Sequence, residues 1–354
     1  MLVENTSGIA GLAFEQLHRD GQTMAVTVAR GKWRLFSDGT LQAVESKILL
    51  ADMFAGDPHR NDLLIAGDLI PYKPTADVTL IGEARASEPQ KSITAGIQIG
   101  SHSASLRATG PRQWVYGKSG WTMTEAPEIS QTTLSYRAAS GGRIIGHPDG
   151  DVDPRNPIGS GLIDPEFTPT QRTYAAPNID AEHAPISLDP RQPAAPQGFG
   201  PIPPWWQARS QYAGTYDGDW TENRSPRLPA DFDYRFYQTA HPGLIQRSYL
   251  HPSQSVRTIG LATSGQGLDF TLPDLVPWAR FSFSDGREVD VRLNLDGMHL
   301  DIRGDEWWLD LTWRGWMEIC PAFYRVDLHS DDSASAHARD LVWAGLHSLS
   351  TEAP

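Results

Sequence analysis

A single cysteine, Cys320, stands in the 354 residues, which excludes an intramolecular disulfide and any cysteine-rich zinc site. Beside Pro321 and after a tryptophan-rich strand, it reads as a small buried hydrophobe. No stretch approaches the ~18 uncharged apolar residues that a membrane-crossing helix needs, so no membrane partner is expected. The opening MLVENTSGIAGLAFEQ lacks a basic region followed by a long apolar run. No signal peptide is therefore expected, and the expected location is cytoplasmic. Basic residues are few, 30 against 43 acids, for a formal net charge of −13. Phosphate backbones are held by clustered Lys and Arg, and no such run exists, so nucleic acid is not expected as a partner. The acidity favours solubility and a basic partner.

What is present is β patterning at both ends. Met24, Val26 and Val28 alternate with smaller residues, Trp33 and Leu35 resume after Gly31, and Ser37-Asp38-Gly39 before Leu41 marks a hairpin. Val78 and Leu80, then Ile93, Ala95, Ile97 and Ile99, continue with period two, as do Leu106 and Trp114-Val115-Tyr116. Near the C-terminus, Phe281 and Phe283, Val289 to Leu295, Met298 to Ile302 and Trp307 to Trp313 read as a four-strand meander. Asp285-Gly286, Asp296-Gly297 and Gly304-Asp305-Glu306 are its expected turns. The alternate positions carry Asp, Arg and Asn, so one face is expected to meet water. Ala336, Ala338, Leu341, Val342 and Leu346 fit a short amphipathic helix between Ser333 and Leu349.

Residues 146–240 differ, with 15 of the 27 prolines and no clear helix. Disordered segments are poor in aromatics. Here FGPIPPWWQARSQYAGTYDGDW (199–220) alone has six rings, so an ordered irregular layer wrapped over the β framework is expected. The fold class expected is mainly β: antiparallel, sandwich-like sheets, a long Pro/Gly/aromatic-rich layer and a short C-terminal helix. Its parts are an N-terminal β region (1–145), the wrapping segment (146–240) and a C-terminal meander with helix (241–354), forming one continuous unit.

Catalytic signatures fail on inspection. Gly117-Lys118-Ser119 ends like a phosphate loop, but Arg112 stands where that loop needs Gly. Asp149, Asp151 and Asp153 begin like a calcium loop, but Pro154 and Ser160 occupy its sixth and twelfth positions. Two alternatives stay open. Asp217, Asp219, Asp231 and Asp233 lie among aromatics, as the carboxylates of a carbohydrate hydrolase would. A sugar-binding module would instead present Trp205, Trp206 and Trp220 as an exposed row. As partner anchors, Trp205, Trp206, Arg209 and Trp220 are candidates, because Pro201, Pro203 and Pro204 would hold their segment stiffly outward. Arg209 and Arg235 are expected to pair with Asp217, Asp231 or Asp233. No metal or cofactor is expected.

The series DLIPYKPTADVTLIGEA (68–84), RQW (112–114), NPIGSGL (156–162), PNID (177–180), GFGPIPPWWQAR (198–209), GTYDGDW (214–220) and RSPRLPADFDYRFY (224–237) resembles a large bacterial family of unknown-function proteins. Members of that family are encoded beside type VI secretion effectors, often those with PAAR domains. The resemblance implies a non-catalytic effector chaperone or adaptor that binds a cognate toxin and assists its loading onto the secretion spike. Its motif residues Trp114, Asn156, Pro157, Gly159, Gly161, Pro177, Asn178, Asp180, Gly198, Gly200, Asp217, Asp231 and Asp233 would be mainly structural. Where a Tyr-Glu-Arg-Ala-Phe-Gly-Gly-like segment is expected, this chain has YRAASGG at 136–142.

Overall fold

The computed structural model describes residues 2–147, 149–184, 189–192, 194–262, 267–319 and 323–343. Cys320 and Leu346 lie outside the described residues. The molecule is mainly β, with mostly antiparallel sheets and a few short helices.

The period-two run from Met24 makes one long strand, Thr23–Leu35, which continues straight through Gly31. A side chain at Gly31 would meet the Trp33 ring at 2.3 Å, so the glycine makes room for an indole folded back along its own strand. The hairpin follows as expected: Gly39 has φ +85°, Asp38 accepts from the Thr40 amide, and Leu35 pairs with Leu41. Thr23–Leu35 pairs along its length with Trp307–Glu318, from Leu35 opposite Trp307 to Met24 opposite Glu318. Ala10–Leu17 flanks this pair on one side. On the other lie Asn294–Ile302, then Asp77–Gln90 running parallel to it, and Ile129–Thr133. With Leu41–Val44 these strands form a seven-stranded central sheet.

One face of this sheet is apolar. Trp33, Leu309, Leu300 and Leu80 form a cross-strand row, and Gly31, Leu311, Met298 and Val78 form the next. These rows pack into one core that runs from Ala13 to Leu328. A five-stranded sheet around Val276–Phe283 and Phe323–Asp331 joins it, and so does another around Ser92–Ile99 and His102–Thr109. Ile179, Phe199 and Ala240 of the proline-rich stretch belong to the same core. That stretch is irregular but ordered against the sheets, with only short strands and single helical turns.

Four expectations are corrected. The C-terminal strands are not a meander: Val276–Phe283 and Glu288–Arg292 pair in one sheet, while Asn294–Ile302 and Trp307–Glu318 pair in another. Asp296-Gly297 is not their turn. Leu295 faces Trp313 and Gly297 faces Thr312, so Asp296 is the extra residue of a bulge, and its carboxylate is buried on Arg314. Nor does the polar face meet water throughout: Asp296, His299, Asp310, Thr312 and Arg314 are buried, whereas Glu288 and Arg303 are exposed. The helix is shorter than expected, Ser333–His337, started by Asp332 accepting from the Ser335 amide. Val342–Trp343 then forms a strand beside Val291 and Arg292. No described helix is long and apolar enough to cross a membrane.

Leu300 has no exposure and packs in the central row. Leu300→Ala is expected to lower the unfolding free energy by about 2–5 kcal/mol, read from urea denaturation.

Candidate functional site

The motif segments meet at Tyr136, in the single turn Tyr136–Ala138. Its hydroxyl donates to the Gly200 carbonyl at 3.2 Å, and its ring meets Trp206 edge-on at 5.1 Å. Gly198 lies so close that a side chain there would approach the Tyr136 ring at 2.5 Å. Asn156, fully buried beside Pro157, donates from Nδ2 to the carbonyls of Tyr136 (2.8 Å) and Ser140 (3.0 Å). Gly159 sits where a side chain would strike the Ala139 carbonyl at 2.8 Å, and Gly161 (φ +89°) lies against the ring of Pro177. Trp114 donates to the Gly161 carbonyl at 3.1 Å. Asn178 accepts from the Arg112 amide, Arg112 donates to the Pro177 carbonyl, and buried Asp180 is held by Arg107 and Arg112. The NPIGSGL, PNID and GFGPIPPWW motifs thus form one knot, with the divergent 136–142 segment at its centre.

The aromatic-layer carboxylates hold local turns. Asp217 accepts from the Trp220 amide and Asp219 from the Asn223 side chain. Asp231 accepts from the Thr215 amide and hydroxyl, and those bonds hold its pKa below the usual carboxylate range. Asp233 pairs with Arg235, as expected. Arg209 pairs with no acid among the described residues. It is 6% exposed and donates to the carbonyls of Ile202 and Phe236, and burial pulls its pKa down to about 10.

The four anchor candidates therefore separate. Trp206, 1% exposed, packs inward, and with Arg209 it is withdrawn from any surface. Trp220 is half-buried, its indole donating to the Arg227 carbonyl and its ring edge-on to Tyr216. No flat exposed row of Trp205, Trp206 and Trp220 exists. Trp205 alone faces outward, 40% exposed, stacked on Phe54 at 5.6 Å and beside His59 at 5.4 Å. Met53 and Leu50 of the same neighbouring segment are more exposed still.

That segment belongs to an arm, residues 45–76, lying over the second face of the central sheet. There the cross-strand rows are charged: Lys32, Asp310, His299 and Thr79 in one, Arg34, Trp308, Asp301 and Ile81 in the next. A charge can be buried only when paired. Arg30 pairs with Asp68 of the arm at 3.1 Å and with Asp310 at 3.0 Å. Arg314 reaches Asp68 at 3.5 Å and Asp296 at 2.5 Å. Lys73 pairs with Asp77 at 2.9 Å, and the same Asp77 oxygen accepts from the Thr239 amide. Above Gly297, where the sheet face has no side chain, a polar chamber of about 40 Å³ remains, lined in part by Asp77, whose Oδ1 has no hydrogen-bond partner among the described residues. Farther along the face, arm and sheet enclose a cleft of about 500 Å³. Burial pushes the Asp296 carboxyl up, against the pull of Arg314.

A family model described as an uncharacterized protein conserved in bacteria (DUF2169) matches residues 20–314. The chain belongs to this family. No curated protein and no solved structure matches it. The DUF2169 span covers the arm, the knot and the aromatic layer together. Sequence reasoning missed Tyr136 as the centre of the knot, it read the polar positions of the C-terminal strands, His299 and Asp310 among them, as a wet sheet face, and it made nothing of Arg30 or Arg314. The usable signal was Asp68, Lys73 and Asp77 within DLIPYKPTADV, opposite charges spaced along a proline-stiffened motif.

Asp68→Ala leaves two buried guanidinium groups short of an acid and unties the arm, at an expected cost of about 3–5 kcal/mol in urea unfolding. Asp269→Ala, which removes an exposed acid from Arg257, is expected to leave the unfolding midpoint unchanged.

His299 supplies a pH test. Its Nδ1 lies 2.9 Å from the Thr79 hydroxyl, with Asp310 and Asp301 and the cations Arg30 and Lys32 around it. Burial, aided by those cations and opposed by the two acids, lowers its pKa to about 4. An unfolded histidine titrates near 6.5, so below that pH the unfolded chain takes a proton that the fold refuses. Its contribution is whole above pH 6.5 and is lost as pH falls to about 4. His299→Gln is expected to remove about 3 kcal/mol from the difference in unfolding free energy between pH 7 and pH 4.

Proposed function

We propose that this protein is a type VI secretion effector chaperone or adaptor. In this reading it acts in the cytoplasm without catalysis, binds a cognate toxin and assists its loading onto the spike. The motif order resembles that of proteins encoded beside such effectors. The observation that carries the reading is the outward Trp205, held on a proline-stiffened segment and stacked on Phe54, with Met53 and Leu50 exposed nearby. Large rings fixed before contact bind with little loss of conformational freedom, and Trp is the residue most favoured as an interface anchor. The turn-holding roles of Asp217, Asp219, Asp231 and Asp233 favour this over a hydrolase.

Co-purification with the product of the adjacent gene tests the proposal. The effector is expected in the complex, and Trp205→Ala should cost at least ~2 kcal/mol of binding while leaving the melting temperature nearly unchanged. An effector that stays soluble and is secreted normally from cells lacking this protein would sink the reading.

A further inference from the structure

The cleft between arm and sheet has the volume of a site for a small organic molecule or a few side chains. Leu49 and Met53 of the arm, Leu64 and Ile65 farther along it, and Ile81 of the sheet give it apolar walls. Its polar groups are unevenly spent. Asp310 already serves Arg30 through Oδ1 and Lys32 through Oδ2, and both oxygens of Asp301 accept from Arg303. Lys32 reaches Asp310 only at 3.6 Å and otherwise lies over the Trp308 ring at 4.9 Å. Lys47 has no hydrogen bond or ion pair among the described residues, and of the lining acids only Glu45, an exposed residue, shares that condition. The unspent capacity is therefore mainly N–H. A lysine ammonium offers three donors and no acceptor, so the group that satisfies these amines is an acceptor of negative charge.

We propose that this cleft binds a carboxylate carried on an aliphatic chain. The chain lies against Leu49, Met53, Leu64 and Ile65, and the carboxylate is taken by the amines of Lys32 and Lys47. The source that fits is an acidic residue set among aliphatic side chains of the partner. Only this choice of source rests on the adaptor reading; the cleft chemistry stands on the lining residues.

Calorimetric titration of the full chain with octanoate, octylamine and octanol tests the chemistry. Octanoate is expected to saturate one site and to bind more tightly than either analogue. Lys47→Glu, on an exposed side chain, should keep the melting temperature and weaken octanoate by about tenfold or more. Octylamine binding as well as octanoate, an unchanged affinity in K47E, or no binding to the folded protein would each overturn the proposal. Excess octanoate is then added to the co-purified complex. Release of the effector supports an acid of the partner as the source. A complex that stays intact while octanoate binds overturns that source and assigns the cleft to a free aliphatic acid, leaving co-purification to decide the adaptor reading by itself.

Discussion

Arg30 and Arg314 set the terms for the rest of the molecule. Both project from neighbouring strands onto the same face of the central sheet, both are almost fully buried, and Asp68 of the arm lies between them. Each guanidinium has one acid from the sheet, Asp310 or Asp296, and Asp68 is the second acid for both, so covering the two buried cations favours an arm docked with Asp68 in that position. Asp68 is fixed in turn from its own side: one oxygen accepts from the Leu49 amide, and its backbone amide donates to the Leu49 carbonyl. The bulge at Asp296 belongs to the same device. One extra residue turns a carboxylate toward Arg314 in the middle of a strand that would otherwise alternate regularly.

The knot at Tyr136 solves a different problem with different means. Four irregular segments approach one another so closely that backbone has to touch ring or backbone, and glycine stands at the points of contact. At Gly161 the positive φ and the proline ring against it together exclude a side chain, whereas Gly198 is dictated by the ring of Tyr136 alone. Trp206 completes the packing from the inside. Its neighbour Trp205 cannot join it, because adjacent residues leave this proline-stiffened segment in different directions. One ring of the pair is spent on the fold and the other is left to the surface.

The strands were legible because alternation is local: Thr23–Leu35 and Asp77–Gln90 were marked by their own side chains, and the Ser37-Asp38-Gly39 turn by its own chemistry. What covers a strand is not local. His299 and Asp310 look the same in sequence whether water or an arm from residues 45–76 lies over them, so the charged face of the C-terminal strands was read as wet. Asp-Gly was ambiguous for a related reason. At 285–286 the pair makes a turn, with Gly286 at φ +86°, and at 296–297 it makes a bulge whose acid is claimed by Arg314. Only the pairing partner separates the two cases. For the candidate site, the motif sequence did not separate the outward ring, Trp205, from the inward one, Trp206. The cleft itself left no contiguous trace, since it is assembled from four strands of the central sheet and the arm.

The choice of ions over hydrocarbon beneath the arm has a geometric consequence. An apolar cover gains from every square ångström it closes, so it collapses until no gap is left. An ion-paired cover gains mainly at the few points where charges meet, and burial of its ions is at best near neutral once desolvation is counted. Asp68 and Lys73 fasten the arm at one end of the sheet face, around Arg30, Arg314 and Asp77. Toward Lys32, Asp301 and Arg303 the acids are already taken within the sheet itself, Asp310 by Arg30 and Lys32 and Asp301 by Arg303. Nothing there draws the arm down. The cleft is open at that end because no acid of the sheet is left to draw the arm down, and Leu49, Met53 and Leu64 line it as walls instead of closing it as a core.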